Sequence, residues 1–515
     1  MPKECEAFGM QAQAQLEAAT QSIGVLWPQG QDTPDRSFSW RWALGLALLA
    51  LALRLLGLNQ QLWYDEIVTL LDSVRIPFVT ILTTYSDHNQ HTFYSILARI
   101  STLLLGEQPW VLRLPAVLFG AASVPALYFC ARLMTTQREA LLAAAFLTVS
   151  YHHVWFSQNA RGYTGLVFFT LLATYFFIRG ARESSLRPWI AYALAIALGM
   201  YMHLTMAFVA AGHGLVYLWL LAVRIRQSGR PPGNFFLPLA GFALGAVITL
   251  LLYAPALPTL LHESYTQVVP QWINPQHLLM ETLGGLSASA GLGAVVMGGV
   301  ILLVGLVSLW RTDRYAVGLM VVPLLVTAVM VLSLWPIAHQ QPRFFFFAIG
   351  FGLVFLTRGA MVWAATAARL WQRDARTEVR WGTALAGLML LASAWSLRPA
   401  YLYPKQDFLG AMAFVDAERQ PGDTVVTAGL AALPYQRYYG RNWPVVETPA
   451  QLDAVRAQGR RTWLLYTLPE FERWLHPEVW DVIQSDFTTV RVFHGTLGGG
   501  EIYVCRQEAF SPGGK

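Results

Sequence analysis

Up to about position 397 the chain alternates long apolar runs with short polar connections, and beyond it the pattern changes. The runs cover 42–58, 111–131, 139–155, 162–178, 188–203, 204–223, 235–257, 286–310, 315–335, 344–363 and 381–397. Each is close to the ~20 residues that carry a helix across a ~30 Å hydrocarbon core. The pattern therefore predicts about eleven transmembrane helices. Positions 92–105 are apolar but too short to span. Phe93, Ile96, Leu97, Ile100 and Leu104 repeat there at helical spacing, with Ser95, Arg99 and Thr102 on other faces, as in a helix lying in the interface. Ile67, Leu70, Leu71 and Val74 form the same stripe, so the connection after the first span reads as two membrane-surface helices.

After position 397 charged residues become frequent and the apolar runs shorten to 424–427, 462–466, 490–493 and 502–504. Helical stretches fall between them at 408–419, 450–458 and 471–484, which predicts a small α/β domain with a partly parallel sheet. Pro421-Gly422-Asp423 reads as the turn into its first strand. Gly498-Gly499-Gly500 reads as a hairpin turn and not a phosphate loop, because no helix follows it.

Charge sets the orientation. Arg132 and Arg138, Arg179, Arg182 and Arg187, Arg224, Arg226 and Arg230, Arg311 and Arg314, and Arg369, Arg373, Arg376 and Arg380 cluster at alternate connections. Basic residues gather on the cytoplasmic side of a plasma or inner membrane. With Arg36 and Arg41 also inside, the N-terminus is cytoplasmic, and the connection after the first span and the C-terminal domain are extracytoplasmic. Three parts follow: a disordered cytoplasmic tail at 1–38, a membrane domain at 39–397 and a soluble α/β domain at 398–515. The tail carries no small-residue cleavage site and does not read as a signal peptide.

Composition agrees, with 55% hydrophobic and only 13% charged residues, where soluble chains carry about 25% charge. The net charge of +6 is spread over these connections and does not form one exposed stripe, so nucleic acid is not an expected partner. Cys5, Cys130 and Cys505 lie in three different parts, which excludes a disulfide framework, and no Cys-x-x-Cys suggests zinc.

Candidate chemistry gathers at the external ends of the spans. Trp63-Tyr64-Asp65-Glu66 places two carboxylates at headgroup depth, beside aromatic rings suited to the interface. The plain alternative is that these acids cap a helix. Asp87-His88-Asn89-Gln90-His91 fits a divalent cation or sugar hydroxyls, and equally a solvated turn. Arg161 and Arg343 break the positive-inside trend and call for a local anion, for which a lipid phosphate is at hand. Snorkelling onto ordinary phospholipid is the alternative for both.

Asp-Glu in the first external loop, the His-Asn stretch, the Ser157-Gln158-Asn159-Ala160-Arg161-Gly162-Tyr163 turn and Pro342-Arg343-Phe344 together resemble the GT-C glycosyltransferases. The likeness is to the protein O-mannosyltransferase and aminoarabinose transferase-like branch, and covers about 39–397 in order and spacing. It implies a polytopic helical enzyme of GT-C type that moves a sugar from a polyprenyl-phosphate carrier, with inversion, to an acceptor glycan, lipid or protein outside the cytoplasm. It further implies Asp65 as the catalytic acid with Glu66 its neighbour, His88, Asn89, His91 and Tyr163 near the substrate, and Arg161 and Arg343 near the carrier phosphate. Relatives have Pro-Pro-Leu after the His-Asn-like start and an acid before Ala-Arg. This chain has Gln90-His91-Thr92 and Asn159, which leaves Asp65 alone with the base role.

The residues support that division of labour by themselves. An acceptor hydroxyl needs a carboxylate to take its proton, and a phosphate leaving group needs positive charge more than it needs an acid. Two other classes compete: a transporter or flippase, and a non-catalytic subunit of a glycan-assembly complex. A transporter places ionisable groups in mid-span, whereas here they lie at span ends, with His203 near a tight turn as a partial exception.

Overall fold

The computed structural model describes residues 26–27, 40–85, 90–183, 185–266, 276, 279–283, 291–334, 341–458 and 461–508. Two compact units divide the chain: a membrane unit of Met1–Leu55, Leu82–Tyr94 and Pro115–Ser396, and a sheet unit of Leu56–Ile81, Ser95–Leu114 and Leu397–Lys515.

Among the described residues eight helices are long and apolar enough to span: Pro109–Arg132, Tyr163–Arg182, Met206–Ser228, Phe236–His262, Leu292–Thr312, Arg314–Ser333, Pro342–Leu370 and Ala375–Leu402. A ninth span is formed if the bent pair Gln137–Val149 and Tyr151–Ser157 counts as one. The other two expected spans are the helices Trp40–Leu55 and Arg187–Met202, each of 16 residues. At 1.5 Å per residue each is ~24 Å long, short of a ~30 Å core. Apolar side chains face outward, as lipid requires: Leu250, Leu251, Leu303, Val329, Leu388 and Leu391 are all exposed. Burial separates the centre from the rim, at 72% of the most apolar window for Tyr163–Arg182 and 17% for Leu292–Thr312. On the rim two helices meet through small residues. A Cβ on Gly305 would strike the Phe355 carbonyl, and one on Gly359 would strike that of Ile301, so these backbones touch directly.

Position 139–155 reads as one continuous span, but the structure breaks it at Ser150, with a 57° bend. Lipid offers nothing to the carbonyls that such a break releases, so protein groups must bond them. Arg54, fully buried in the last turn of Trp40–Leu55, does so. Its Nη2 donates to the Leu147 carbonyl at 3.1 Å and its Nη1 to that of Thr148 at 3.2 Å. Ser393 Oγ donates to the Val149 carbonyl at 3.0 Å. Beyond the bend, Arg54 Nη2 donates to His153 Nδ1 at 2.6 Å and Nε to Ser157 Oγ at 3.0 Å, while Gln158 Nε2 donates back to the Arg54 carbonyl at 3.1 Å. Gly120 gives Ser157 its room, since a Cβ there would collide with the serine hydroxyl.

In the sheet unit, β1 (Thr424–Ala428), β2 (Val445–Val446), β3 (Thr462–Thr467), β4 (Thr488–Phe493) and β5 (Ile502–Gln507) form one sheet in the order β2-β1-β3-β5-β4. β1 runs parallel to β2 and β3, and β5 runs antiparallel to β3 and β4. The central strand β3 is buried at all six positions, which explains its uninterrupted run Trp463-Leu464-Leu465-Tyr466. The expected 471–484 helix is two, Pro469–Leu475 and Pro477–Asp486, because Pro477 ends the first and opens the second. Asp423, in the turn before β1, accepts from Arg461 at 2.7 Å and from Trp463 Nε1 at 3.0 Å.

The two surface helices expected after the first span differ from each other. Thr92–Leu105 forms, with Ile100, Leu103 and Leu104 exposed. The other is a correction: residues Tyr64–Val68 are α-helical and Thr69–Val74 continue as a π-helix, and Ile67, Leu70, Leu71 and Val74 are all buried within the protein. The stripe is a core face, not a membrane face.

Removing the Arg54 guanidinium strands the carbonyls at the bend. Arg54→Ala is expected to destabilise the protein by about 3 kcal/mol, seen as a lower unfolding temperature in detergent. Arg54→Lys should recover only part of the loss, since one ammonium cannot serve both sides of the bend; an unchanged melt for Arg54→Ala would refute the role.

Candidate active site

The turn that follows the bent helix, 158–162, carries Arg161 into a buried cluster of the membrane unit. Its backbone folds tightly, the Arg161 amide donating to the Asn159 carbonyl at 2.7 Å, and the next helix starts at Tyr163. Tyr163 is the hub. The Arg161 guanidinium lies 5.8 Å from the centre of its ring, and the Arg343 guanidinium, from the turn Pro342–Ala348, also lies 5.8 Å from it. Two cations held on one phenol ring each gain cation–π attraction and together make the surroundings of Tyr163 positive, an environment suited to an anion.

Two histidines complete the cluster. His203, in the two-helix connection after Met202, lies 5.0 Å from the Tyr163 ring, and His91 lies 4.7 Å from His203 and 5.5 Å from Tyr163. Burial, then the Arg161 charge, holds His91 well below the ordinary histidine range. Burial, then the charges of Arg161 and Arg343, bring His203 down to about 3. Both rings are therefore neutral and can donate or accept a hydrogen bond without adding charge. His91 Nε2 is buried with no hydrogen-bond partner among the described residues. Phe346 closes the other side, 4.3 Å from Phe156 and 6.5 Å from Tyr163, and stacks on His153 at 6.0 Å, the ring that Arg54 holds.

Asp65 and Glu66 belong to the sheet unit, where they open the short helix Tyr64–Val68. The pair is split by environment. Glu66 is fully buried and takes both arms of Arg113: Nε donates to Oε1 at 2.7 Å and Nη2 to Oε2 at 2.6 Å. Arg113 also donates to the carbonyls of Leu58, Gln60 and Gln61 at 2.7, 2.8 and 3.0 Å. Glu66 is thus committed to an ion pair that gathers the chain before the helix. Asp65 is half-buried, and its carbonyl accepts from Thr69 Oγ1 at 2.8 Å.

The C-terminal segment is the seat of this helix. The Tyr64 amide donates to Gln406 Oε1 at 2.9 Å, and Gln406 Nε2 donates in turn to Thr467 Oγ1 and the Gly500 carbonyl, both at 3.1 Å. Gln61 Nε2 donates to Asp407 Oδ1 at 2.7 Å, and Arg437 pairs with Asp72 at 2.7 Å. Lys405, buried beside them, is pushed down to about 7 by burial and then by the Arg113 charge, against the pull of Glu66.

Of the expected site residues, the structure brings His91, Tyr163, Arg161 and Arg343 together, and His88 and Asn89 lie outside the described residues. The described residues hold no group of three His, Cys, Asp or Glu side chains that could hold a metal ion, and Asp87 and His88 are not among them. Arg54, Arg113 and Lys405 were missed. Arg54 and Arg113 each stand within or at the edge of an apolar run, and that is the signal that could have found them.

A family model for dolichyl-phosphate-mannose-protein mannosyltransferases matches residues 91–257. No curated protein sequence matches the chain. Among solved structures, ArnT from Cupriavidus metallidurans bound to undecaprenyl phosphate is 12% identical, over 91% of this chain and 98% of that one, with a TM-score of 0.49. The oligosaccharyltransferase of Archaeoglobus fulgidus in complex with Zn and sulfate is 11% identical, over 90% and 72%, with a TM-score of 0.49. The Pmt1-Pmt2 protein O-mannosyltransferase complex of S. cerevisiae bound to the sugar donor is 18% identical, over 42% and 33%, with a TM-score of 0.36. It is the family match that bears on this site: residues 91–257 contain His91, Arg161, Tyr163 and His203, and in this stretch the chain resembles the GT-C glycosyltransferases.

Proposed function

We propose that this protein is a membrane glycosyltransferase that moves a sugar, with inversion, from a polyprenyl-phosphate carrier to an acceptor hydroxyl outside the cytoplasm. The observation that carries the reading is the pair of guanidiniums on Tyr163, flanked by two neutral histidines, within the stretch that matches the mannosyltransferase family. The acceptor oxygen attacks the anomeric carbon while the bond from that carbon to the phosphate oxygen breaks. The electron pair leaves with the phosphate, and the hydroxyl proton passes to Asp65. Arg161 and Arg343 stabilise the charge that grows on the departing phosphate, which needs no acid because its own pKa is low. His91 and Tyr163, with His88 and Asn89, contact the donor. Glu66 acts as a positioning residue, since both its oxygens are bonded to Arg113. The N-terminus is cytoplasmic and residues 398–515 are extracytoplasmic, as the alternation of basic connections requires.

Purified protein incubated with a panel of polyprenyl-phosphate sugars is expected to bind or slowly hydrolyse one of them, and no binding to any would end the proposal. Asp65→Asn should lower transfer by about 10²- to 10⁴-fold while donor binding and the melting temperature are kept. Full transfer by that variant would leave a different base or a non-catalytic role. Arg343→Ala and Arg161→Ala should each weaken donor binding by roughly ten- to a hundredfold. Arg113→Ala leaves the Glu66 charge buried and uncompensated, and should cost about 3–5 kcal/mol of stability, read as a lower melt. Because His203 gains a proton only near pH 3 and His91 resists protonation too, donor binding should stay flat between pH 5 and pH 8. A histidine-like step in that window would show that one of the rings titrates.

A further inference from the structure

The sheet unit contains a cavity of about 480 Å³ that the chemistry above does not use. It opens at the carboxyl ends of the two parallel strands β1 and β2: Gly429 and Leu430, directly after β1, and Val445 and Glu447, at the end of β2, line it. β1 has parallel neighbours on both sides, and the carboxyl end of such a parallel region is where open α/β sheets receive ligands. Its volume is that of a small-molecule site.

The lining tells which ligand fits. Tyr64, Gln436, Arg437, Glu447 and His476 bring planar polar groups to a wall that includes Leu430, Leu433 and Leu475. The Arg437 charge is already paired with Asp72 and Glu447 is anionic, so the cavity offers no unpaired positive charge and does not select a phosphate. Planar amide, carboxylate and guanidinium groups present paired donors or acceptors at the spacing of neighbouring hydroxyls, and a phenol ring and leucines suit the C–H faces of a sugar. The edge strand β2 is only two residues long and offers almost no ladder to an extended peptide.

The floor is rigid. Gly429 sits at φ 52°, and a Cβ there would collide with the carboxylate of Glu472. Glu472 Oε1 lies 3.3 Å from His476 Nδ1 and fixes that ring at the cavity wall, while Oε2 is buried without a hydrogen-bond partner among the described residues. Leu468, at the start of the helix that carries Glu472, is held at φ 51°, a strained conformation for a leucine. Tyr64, which lines the cavity from outside the C-terminal segment, immediately precedes Asp65.

We infer that this cavity is the acceptor subsite, and that it takes a neutral sugar unit of a glycan or glycolipid acceptor beside the helix that bears Asp65. The inference rests on the transferase reading for the word acceptor, and on the cavity alone for the word sugar.

The test uses the purified full-length protein and a panel of methyl glycosides and short neutral oligosaccharides, with saturation-transfer NMR as the readout and a Ser/Thr-rich peptide and inorganic phosphate as comparison probes. At least one glycoside is expected to bind. Glu447→Ala, an exposed change that does not touch the core, and Leu433→Trp, which fills the cavity, should each weaken it by tenfold or more, with melting temperatures confirming that both variants fold. Binding that survives both variants, binding of the peptide or phosphate in place of a glycoside, or no glycoside binding at all would overturn the subsite. Donor hydrolysis by the unaltered protein separates the two ideas: hydrolysis without glycoside binding removes the subsite and keeps the transferase, while cavity-dependent glycoside binding without any donor binding keeps a sugar site and removes the transferase.

Discussion

A helix broken inside lipid must find new partners for the carbonyls it releases, and in the membrane unit Arg54 supplies two of them. Its guanidinium reaches Leu147 and Thr148 on one side of the bend and His153 and Ser157 on the other. Part of the cluster follows directly from that bend. The short helix after it ends at the turn that carries Arg161, and its His153 and Phe156 rings pack on Phe346, three residues from Arg343. An arginine suits this work better than a lysine because its five donors lie in a fixed plane and can address several acceptors at once.

Arg113 does the corresponding work in the sheet unit. It gathers the carbonyls of Leu58, Gln60 and Gln61 and closes on Glu66, so the segment leading to the Tyr64–Val68 helix is tied down before the helix begins. Gln406 then accepts from the first amide of the helix, that of Tyr64. A buried ion pair of this kind costs desolvation and adds little net stability, but breaking it is expensive, so it fixes one geometry. This explains why a helix of five residues, too short to be stable alone, has a defined place.

The spans were legible because lipid demands length and apolarity, both of which a sequence states directly. Four of the five strands were legible as well, β3 as a continuous apolar run between polar turns, whereas the two-residue β2 was not expected. What was not legible depended on residues distant in the chain. Nothing within 139–155 announces a break at Ser150; the groups that stabilise it, Arg54 and Ser393, lie about a hundred and two hundred and forty positions away. The stripe of Ile67, Leu70, Leu71 and Val74 correctly named an apolar face, but periodicity does not say whether lipid or protein covers it. Asp65 and Glu66 are alike in residue type, and it was the resemblance that assigned the base role to Asp65; the ion pair that occupies Glu66 needs Arg113, forty-seven positions later.

That separation bears on how two adjacent acids can differ in chemistry without differing in type. A carboxylate whose two oxygens are both held by a guanidinium has its charge satisfied, and a proton arriving there would have to displace those bonds. Glu66 is in that state, whereas Asp65, one position earlier, is only half-buried. The cluster on Tyr163 applies the same logic with the opposite sign. Its positive charge resides in arginines, which do not lose it, and its histidines stay neutral, so the field offered to an anion there is set by the fold and not by the pH of the surroundings.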